Sequence, residues 1–406
     1  MRTVTPDELQ SRLQALPAAE PRVVVSGNHA IPWQALKAVD QALERYRLFA
    51  LNAPAGVPDR TGVVLETAFV GPGMRGRPSL AYFPCRLSLV PTLLKRRIPP
   101  DVVVVHTAPP RDGKLSLGVE VNILPAAIEA ARARGGLVVA EVNPQMPYLS
   151  GDALLPVEDV DLAVEVDAPL GELPRPAISD LQRVIGEHVA SLVPDGATLQ
   201  LGIGAIPDAA LAALHRRREL RIWSEMISDG VMHLSQGGAL ADGHITTSFA
   251  AGSSSFYAWL ADNSKVVMCR TERANDPAVI AQQPTMTSIN AALQVDLFAQ
   301  ANASYVHDRI YSGFGGQTDF IVGAVHSVDG HAIIALPSWH ERSQSSTIVD
   351  RLASPATSFQ HSYVVTEQGI ATIWGRPQKE QAEQLIDHAA APQARDELRA
   401  AARQLF

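Results

Sequence analysis

Short runs of valine and isoleucine, apolar on both faces, constrain this chain more than any other feature. They are RVVVSG (22–27), DVVVVHTAP (101–109), GLVVAEVN (136–143) and DLAVEVDAP (161–169), then ATLQLGIG (197–204), LRIWSEM (220–226), KVVMC (265–269), HAIIALPS (331–338) and SYVVTEQG (362–369). A strand with one wet face alternates polar and apolar residues. Strands without that alternation belong to a sheet covered on both sides. Helix-like segments lie between several of them, such as ILPAAIEAARARG (123–135) and DLQRVIGEHVASL (180–192). Strands alternating with helices predict an α/β fold with a mostly parallel sheet.

At 406 residues the chain is too long for one ordinary domain and suits two or three. The segment DAPLGELPRPAIS (167–179) holds three prolines and one glycine, which no regular element tolerates. Ser179 then offers an N-cap to the following helix. The boundary is therefore expected near 178, giving domains 1–178 and 179–406. A faint repeat agrees with two related halves: SGNHAIPWQAL (26–36) echoes LGIGAIPDAAL (201–211). In each half an apolar strand meets a glycine turn, and a helix is expected to start at proline, Pro32 or Pro207. Proline suits a first helical position because its missing N–H would have no partner there.

Composition excludes several classes. The net charge is −8, and no Lys/Arg-rich stripe is present, so nucleic acid is not an expected partner. The two cysteines, Cys85 and Cys269, lack paired spacing, which argues against a disulfide scaffold or a thiolate zinc site. The N-terminus is polar and no run of about 18 apolar residues occurs. The chain is expected to be cytoplasmic, with no membrane segment. The histidines are scattered without metal-ligand spacing. A GxSxG elbow and a Gly-Lys-Ser/Thr phosphate loop are both missing from the sequence.

Four places bear chemistry-capable residues, each with a plainer reading beside it. Gly202, Ile203, Gly204 and Ala205 form a glycine turn before a helix, suited to cradling an anion or to tight packing alone. Pro207 stands where a dinucleotide fingerprint needs its third glycine. Glu225, in IWSEMISDGV (222–231), follows an apolar strand where ligands bind in open α/β sheets, flanked by Trp223 and Met226. It is equally readable as a solvated or capping carboxylate, with Asp229-Gly230 as a turn. In YSGFGGQTDFIVGA (311–324), Gly313, Gly315 and Gly316 precede Gln317 and a buried-looking Asp319-Phe320, as a backbone cradle or as a β-bulge. Asn275 is either an amide donor to a developing oxyanion or a helix cap.

Taken in order, GATLQLGIGAIPDAAL, SEMISDGV, ANDPAVIA, GGQTDFIVGA, IIALPS and YVVTEQGIA resemble the acetyl-CoA hydrolase/transferase family. FVGPGMRG, LSLGVEVN, VNPQMP and AVEVDAPL resemble its first half, so the likeness covers roughly residues 20–400. The resemblance implies two similar open α/β domains with mostly parallel sheets and an active site in the cleft between them. It implies that Glu225 is the catalytic carboxylate, taking CoA from a short-chain acyl-CoA as a glutamyl thioester and passing it to a second carboxylate. It further implies oxyanion donors at the Ala205 and Gly316 amides and the Asn275 side chain, a CoA site around Gly202, Ile203, Gly204, Gly315 and Gln317, no tightly bound cofactor or metal, and a homodimer or larger assembly. The chain departs from the family with Ile-Trp-Ser before Glu225, Val322 where arginine is common, serines in AGSSSFYAW (251–259) and a shortened ASPATSFQH (353–361). These leave fewer cations near the site. An acyl-CoA hydrolase with the same residues, a non-catalytic ligand-binding relative and an NAD-dependent dehydrogenase remain as alternatives.

Overall fold

The computed structural model describes residues 1–174, 177–202, 204–356, 358 and 360–406. The contacts divide it into two compact units. One comprises Met1–Pro174 and His244–Ala274, the other Arg175–Gly243 and Asn275–Phe406. The first unit thus includes 244–274, an excursion that a single division at 178 does not contain. The physical cause is hydrogen bonding: Ala250 N–H donates to Val119 O (2.8 Å), Thr271 N–H donates to Asn122 O (3.0 Å), and Arg270 pairs with Glu129 (2.7 Å).

In the first unit the strands are β1 (Arg2–Thr3), β2 (Arg22–Val25), β3 (Tyr46–Phe49), β4 (Val63–Thr67), β5 (Leu80–Tyr82), β6 (Val102–Arg111), β7 (Leu137–Val142) and β8 (Leu162–Glu165). They lie in the order β1-β8-β7-β6-β2-β3-β4-β5, and every neighbouring pair is parallel. Helices α1 (Pro6–Gln14), α2 (Trp33–Ala42) and α3 (Leu124–Arg132) belong to the same unit. Val23, Val24, Val102–Val105 and Val138–Ala140 are wholly buried, as expected of strands covered on both faces.

The second unit contains helix α4 (Asp180–Ser191), β9 (Thr198–Leu201), α5 (Ala205–Ala213), β10 (Leu220–Ile227), α6 (Asp229–Gln236), β11 (Met286–Ala291), α7 (Gln317–His326), β12 (His331–Ala335), β13 (Tyr363–Thr366) and β14 (Gly369–Thr372). The order is β14-β13-β12-β11-β9-β10. Among the described residues of this sheet, β9–β10, β9–β11, β11–β12 and β12–β13 pair in parallel and the β13–β14 hairpin is antiparallel. Ser179 caps α4 through a full capping box with Gln182.

The two units place their echoed segments alike. In each, the strand of the echo has the next strand on one side and a later one on the other: β2 lies between β3 and β6, and β9 between β10 and β11. That reversal is a topological switch point, outside whose carboxyl ends open α/β sheets bind ligands. The helices do not begin at their prolines. Pro32 is the residue before α2, and α5 starts at Ala205, so Pro207 is its third residue. The first i→i−4 bond of α5 runs from Asp208 N–H to Gly204 O (3.1 Å). A proline at the third position therefore removes no helical hydrogen bond.

Candidate active site

Glu225 projects from β10, two positions short of its carboxyl end, and is partly buried. Side chains alternate across a strand, so Glu225 shares a face with Trp223, while Ser224 and Met226 point the other way. Trp223 packs in the same apolar cluster as Phe320, Ile321 and Ala324 of α7. The expectation that both Trp223 and Met226 flank the carboxylate is thus corrected: only the tryptophan is on its side.

The amino end of α7 meets Glu225 on that face. Gly315 turns the chain with φ +55° and Gly316 is the N-cap residue. A Cβ on Gly316 would overlap both Glu225 Oε2 and Asn275 Nδ2. Glycine is required there because the backbone lies against the carboxylate. The first i→i−4 bond of α7 runs from Phe320 N–H to Gly316 O (3.0 Å), so the N–H groups of residues 316–319 have no acceptor within the helix. They present the positive end of the helix dipole to an anion. The GGQ segment is therefore the entry to a helix and not a β-bulge.

Asn275 completes the arrangement. It is wholly buried, and its Nδ2 donates to Glu225 Oε2 at 2.7 Å. It does not cap the helical turn Pro277–Ile280. Asp276 does so, accepting from Ala278 N–H at 2.9 Å. Asp229-Gly230 opens α6 instead of making a turn. A Cβ on Gly230 would lie 2.4 Å from Leu211 Cδ1, so that side chain would have to shift.

The other expected residues are placed less directly. Ile203 lies outside the described residues, as do two residues of the segment 353–361. In the β9–β10 register Thr198 faces Arg221 and Leu199 faces Ile222. Beyond that pair the Ser224 hydroxyl, not its backbone, meets Leu201 N–H (3.1 Å). Gly202 N–H is already given to Ile289 O (2.9 Å) and is not available to a ligand. Gly204 adopts φ +122° with open space around it, so glycine serves conformation there. Ala205 N–H precedes the first helical bond of α5, which runs from Asp208 N–H to Gly204 O. Gln317 donates its side-chain amide to Ala291 O (3.4 Å).

Three pairings at this end of the sheet escaped the sequence reading. Ser224 Oγ accepts from Leu201 N–H (3.1 Å) and donates to Met226 O (2.7 Å), which ties β9 to the strand bearing Glu225. Gln200 and Asn290 exchange amide hydrogen bonds (3.2 and 2.9 Å) between β9 and β11. Glu367 takes the Ser338 N–H (2.9 Å) and hydroxyl beyond β12 and β13. Their signal was a polar residue interrupting or ending an apolar run.

A carboxylate held by a buried amide, against a helix amino end, is the type of nucleophile and oxyanion site used in acyl transfer. The N-terminal and C-terminal domain models of the acetyl-CoA hydrolase/transferase family match residues 75–170 and 252–402. The chain belongs to the acetyl-CoA hydrolase/transferase family. It is 41% identical over 319 residues to the 4-hydroxybutyrate coenzyme A transferase of Clostridium kluyveri, covering 75% of this chain and 73% of that one. It is 36% identical over 410 residues to the succinyl-CoA:acetate/propanoyl-CoA:succinate CoA transferase of Fasciola hepatica, covering 94% and 84%. The crystal structure of RipA from Yersinia pestis superposes with a TM-score of 0.92 at 29% identity, covering 100% of this chain and 97% of that one. Proteins named acetyl-CoA hydrolase are also among the relatives. Within this family member, Asn275 and the GGQ turn fall in the matched C-terminal domain, whereas Glu225 lies in the stretch between the two matches.

Proposed function

We propose that this chain is a CoA-transferase that moves CoA from a short-chain acyl-CoA to a carboxylate acceptor through a glutamyl-CoA thioester on Glu225. One observation carries the reading: Glu225 Oε2 is held at 2.7 Å by the Asn275 amide. The other carboxylate oxygen, Oε1, is assigned as the attacking atom. It adds to the thioester carbon, the C–S bond breaks, and CoA thiolate leaves an acyl-glutamyl anhydride. The thiolate next adds to the Glu225 carboxyl carbon. Negative charge gathers on the glutamyl carbonyl oxygen, the atom Asn275 already holds. The anhydride C–O bond breaks, the free acid departs, and CoA stays on the enzyme. An acceptor carboxylate reverses both steps.

A donor placed before the charge develops needs no reorganisation when it does, and each such donor is worth roughly 3–4 kcal/mol. The Gly316 amide at the head of α7 supplies a second. The Ala205 amide and the turn around Gly202, Ile203 and Gly204, with Gly315 and Gln317, are proposed for the acyl-CoA carbonyl and the CoA arm. CoA's remote groups supply binding energy that can be used at the reacting carbon. A homodimer or larger assembly is also proposed.

Acyl-CoA hydrolysis is the second reading, favoured by the hydrolases among the relatives. It shares the covalent step and ends with water. CoA release from acetyl-CoA separates the two. Transfer requires release to be slow alone and to rise at least tenfold with propionate, with propionyl-CoA formed, and Glu225→Gln must abolish it. Equal release without an acceptor contradicts transfer.

A further inference from the structure

The first unit has a cavity of about 890 Å³ at the amino ends of β1, β6, β7 and β8, the end of the sheet opposite its β2 turn. Four guanidinium groups line it: Arg2 at the start of β1, Arg12 in the last turn of α1, and Arg132 and Arg134 at the end of α3. Two carboxylates line it too, and both are engaged. Asp101 accepts Arg22 N–H (2.8 Å), and Asp161 accepts Val138 N–H (2.9 Å) and pairs with Arg132 (2.9 Å). The side chains of Arg12 and Arg134 make no ion pair or hydrogen bond among the described residues. Arg2 acts only through space, on Glu8, whose carboxyl is chiefly engaged in the capping box of α1.

Arginines near a helix carboxyl end often do no more than answer the dipole. Arg12 and Arg132 suffice for α1 and α3. Arg2 and Arg134 are then in excess, on a chain whose overall charge is −8. Four like charges around a roomy cavity, of which only Arg132 is paired among the described residues, have an electrostatic cost that an anion relieves. Guanidinium forks match phosphate oxygens. The apolar remainder of the wall, including Leu16, Pro17 and Pro100, is suited to a ring. We infer that this cavity binds a polyphosphate chain, as a nucleoside polyphosphate or as free polyphosphate, at a site separate from Glu225.

Isothermal titration of the full chain with ATP, pyrophosphate and adenosine at low salt tests this, with CoA saturating so that any CoA site is filled. ATP and pyrophosphate are expected to bind and adenosine is not. Arg12→Gln/Arg134→Gln is expected to weaken binding at least tenfold with acyl-CoA turnover unchanged, since neither residue belongs to the catalytic machinery. Ala15→Glu, an exposed wall position, is expected to do the same, which guards against a folding defect in the double variant. ATP binding tighter than pyrophosphate identifies the nucleotide as the ligand, and equal affinities identify the phosphate chain alone. Undiminished ATP binding in both variants, or no binding of either anion to the native chain, overturns the inference.

Discussion

Glu225 and Asn275 share one hydrogen bond at 2.7 Å, with the Gly316 backbone lying against both side chains. A neutral amide stabilises the ionised carboxylate, which is the form that can attack. Asn275→Asp keeps the shape and puts a second carboxyl at the same distance. Two like charges so close raise the pKa of one of them. The acid limb of kcat/KM is therefore expected to move to higher pH by about one unit or more, with kcat reduced at neutral pH. An unmoved limb in the pH profile would argue that Asn275 does not face the reacting carboxylate. The sequence already shows an acid after an apolar run and an asparagine after another. It does not show that Gly316, about ninety positions beyond Glu225, closes on both, because that contact depends on how α7 packs over β11 and β12.

At the scale of elements, each Val/Ile run named from the sequence is a strand, and the segments at 124–132 and 180–191 are helices. These were legible because burial on both faces leaves its mark directly in residue type. Element starts were less so. Orphan N–H groups extend over the first turn, so proline fits the N-cap position or the third residue as well as the first. The serines of AGSSSFYAW have a local use that composition hides: Ser253 caps the helix Ser254–Leu260 by accepting from Phe256 N–H (3.2 Å). The helix-to-helix fit was not legible either. A Cβ on Gly186 of α4 would lie 2.6 Å from the carbonyl carbon and oxygen of Ala209 in α5. Gly186→Ala improves helix propensity yet forces these backbones apart. It is expected to destabilise the chain by about 1–3 kcal/mol, read as a lower urea midpoint at constant slope. A higher midpoint would contradict the close approach.

For the whole molecule, groups the proposed chemistry does not use contribute to the dependence of stability on pH. Burial pushes the Glu120 carboxyl up to about 7, although the Asn28 and Asn122 amides hold its oxygens. The folded state keeps this proton when the unfolded chain has lost it. Glu120 therefore costs no stability below the ordinary carboxyl value of 4.5, and stability declines as pH rises towards and through 7. Glu141, also raised to about 7 by burial, acts in the same sense. His106 and His361, lowered to about 4 by burial, act in the opposite sense as pH falls below 6.5. The informative quantity is the difference between variant and native chain. Glu120→Gln is expected to flatten the loss of stability between pH 5 and 8 by on the order of 1–3 kcal/mol, measured by denaturation at several pH values, and an unchanged slope would contradict it. The central claim is covalent, and intact-protein mass spectrometry after incubation with acetyl-CoA reads it directly. The native chain should gain the mass of one CoA less water, lose it when acetate is added, and show no adduct as Glu225→Gln. Turnover with no adduct on the native chain under any donor concentration, or an adduct that persists in Glu225→Gln, would contradict a glutamyl-CoA intermediate.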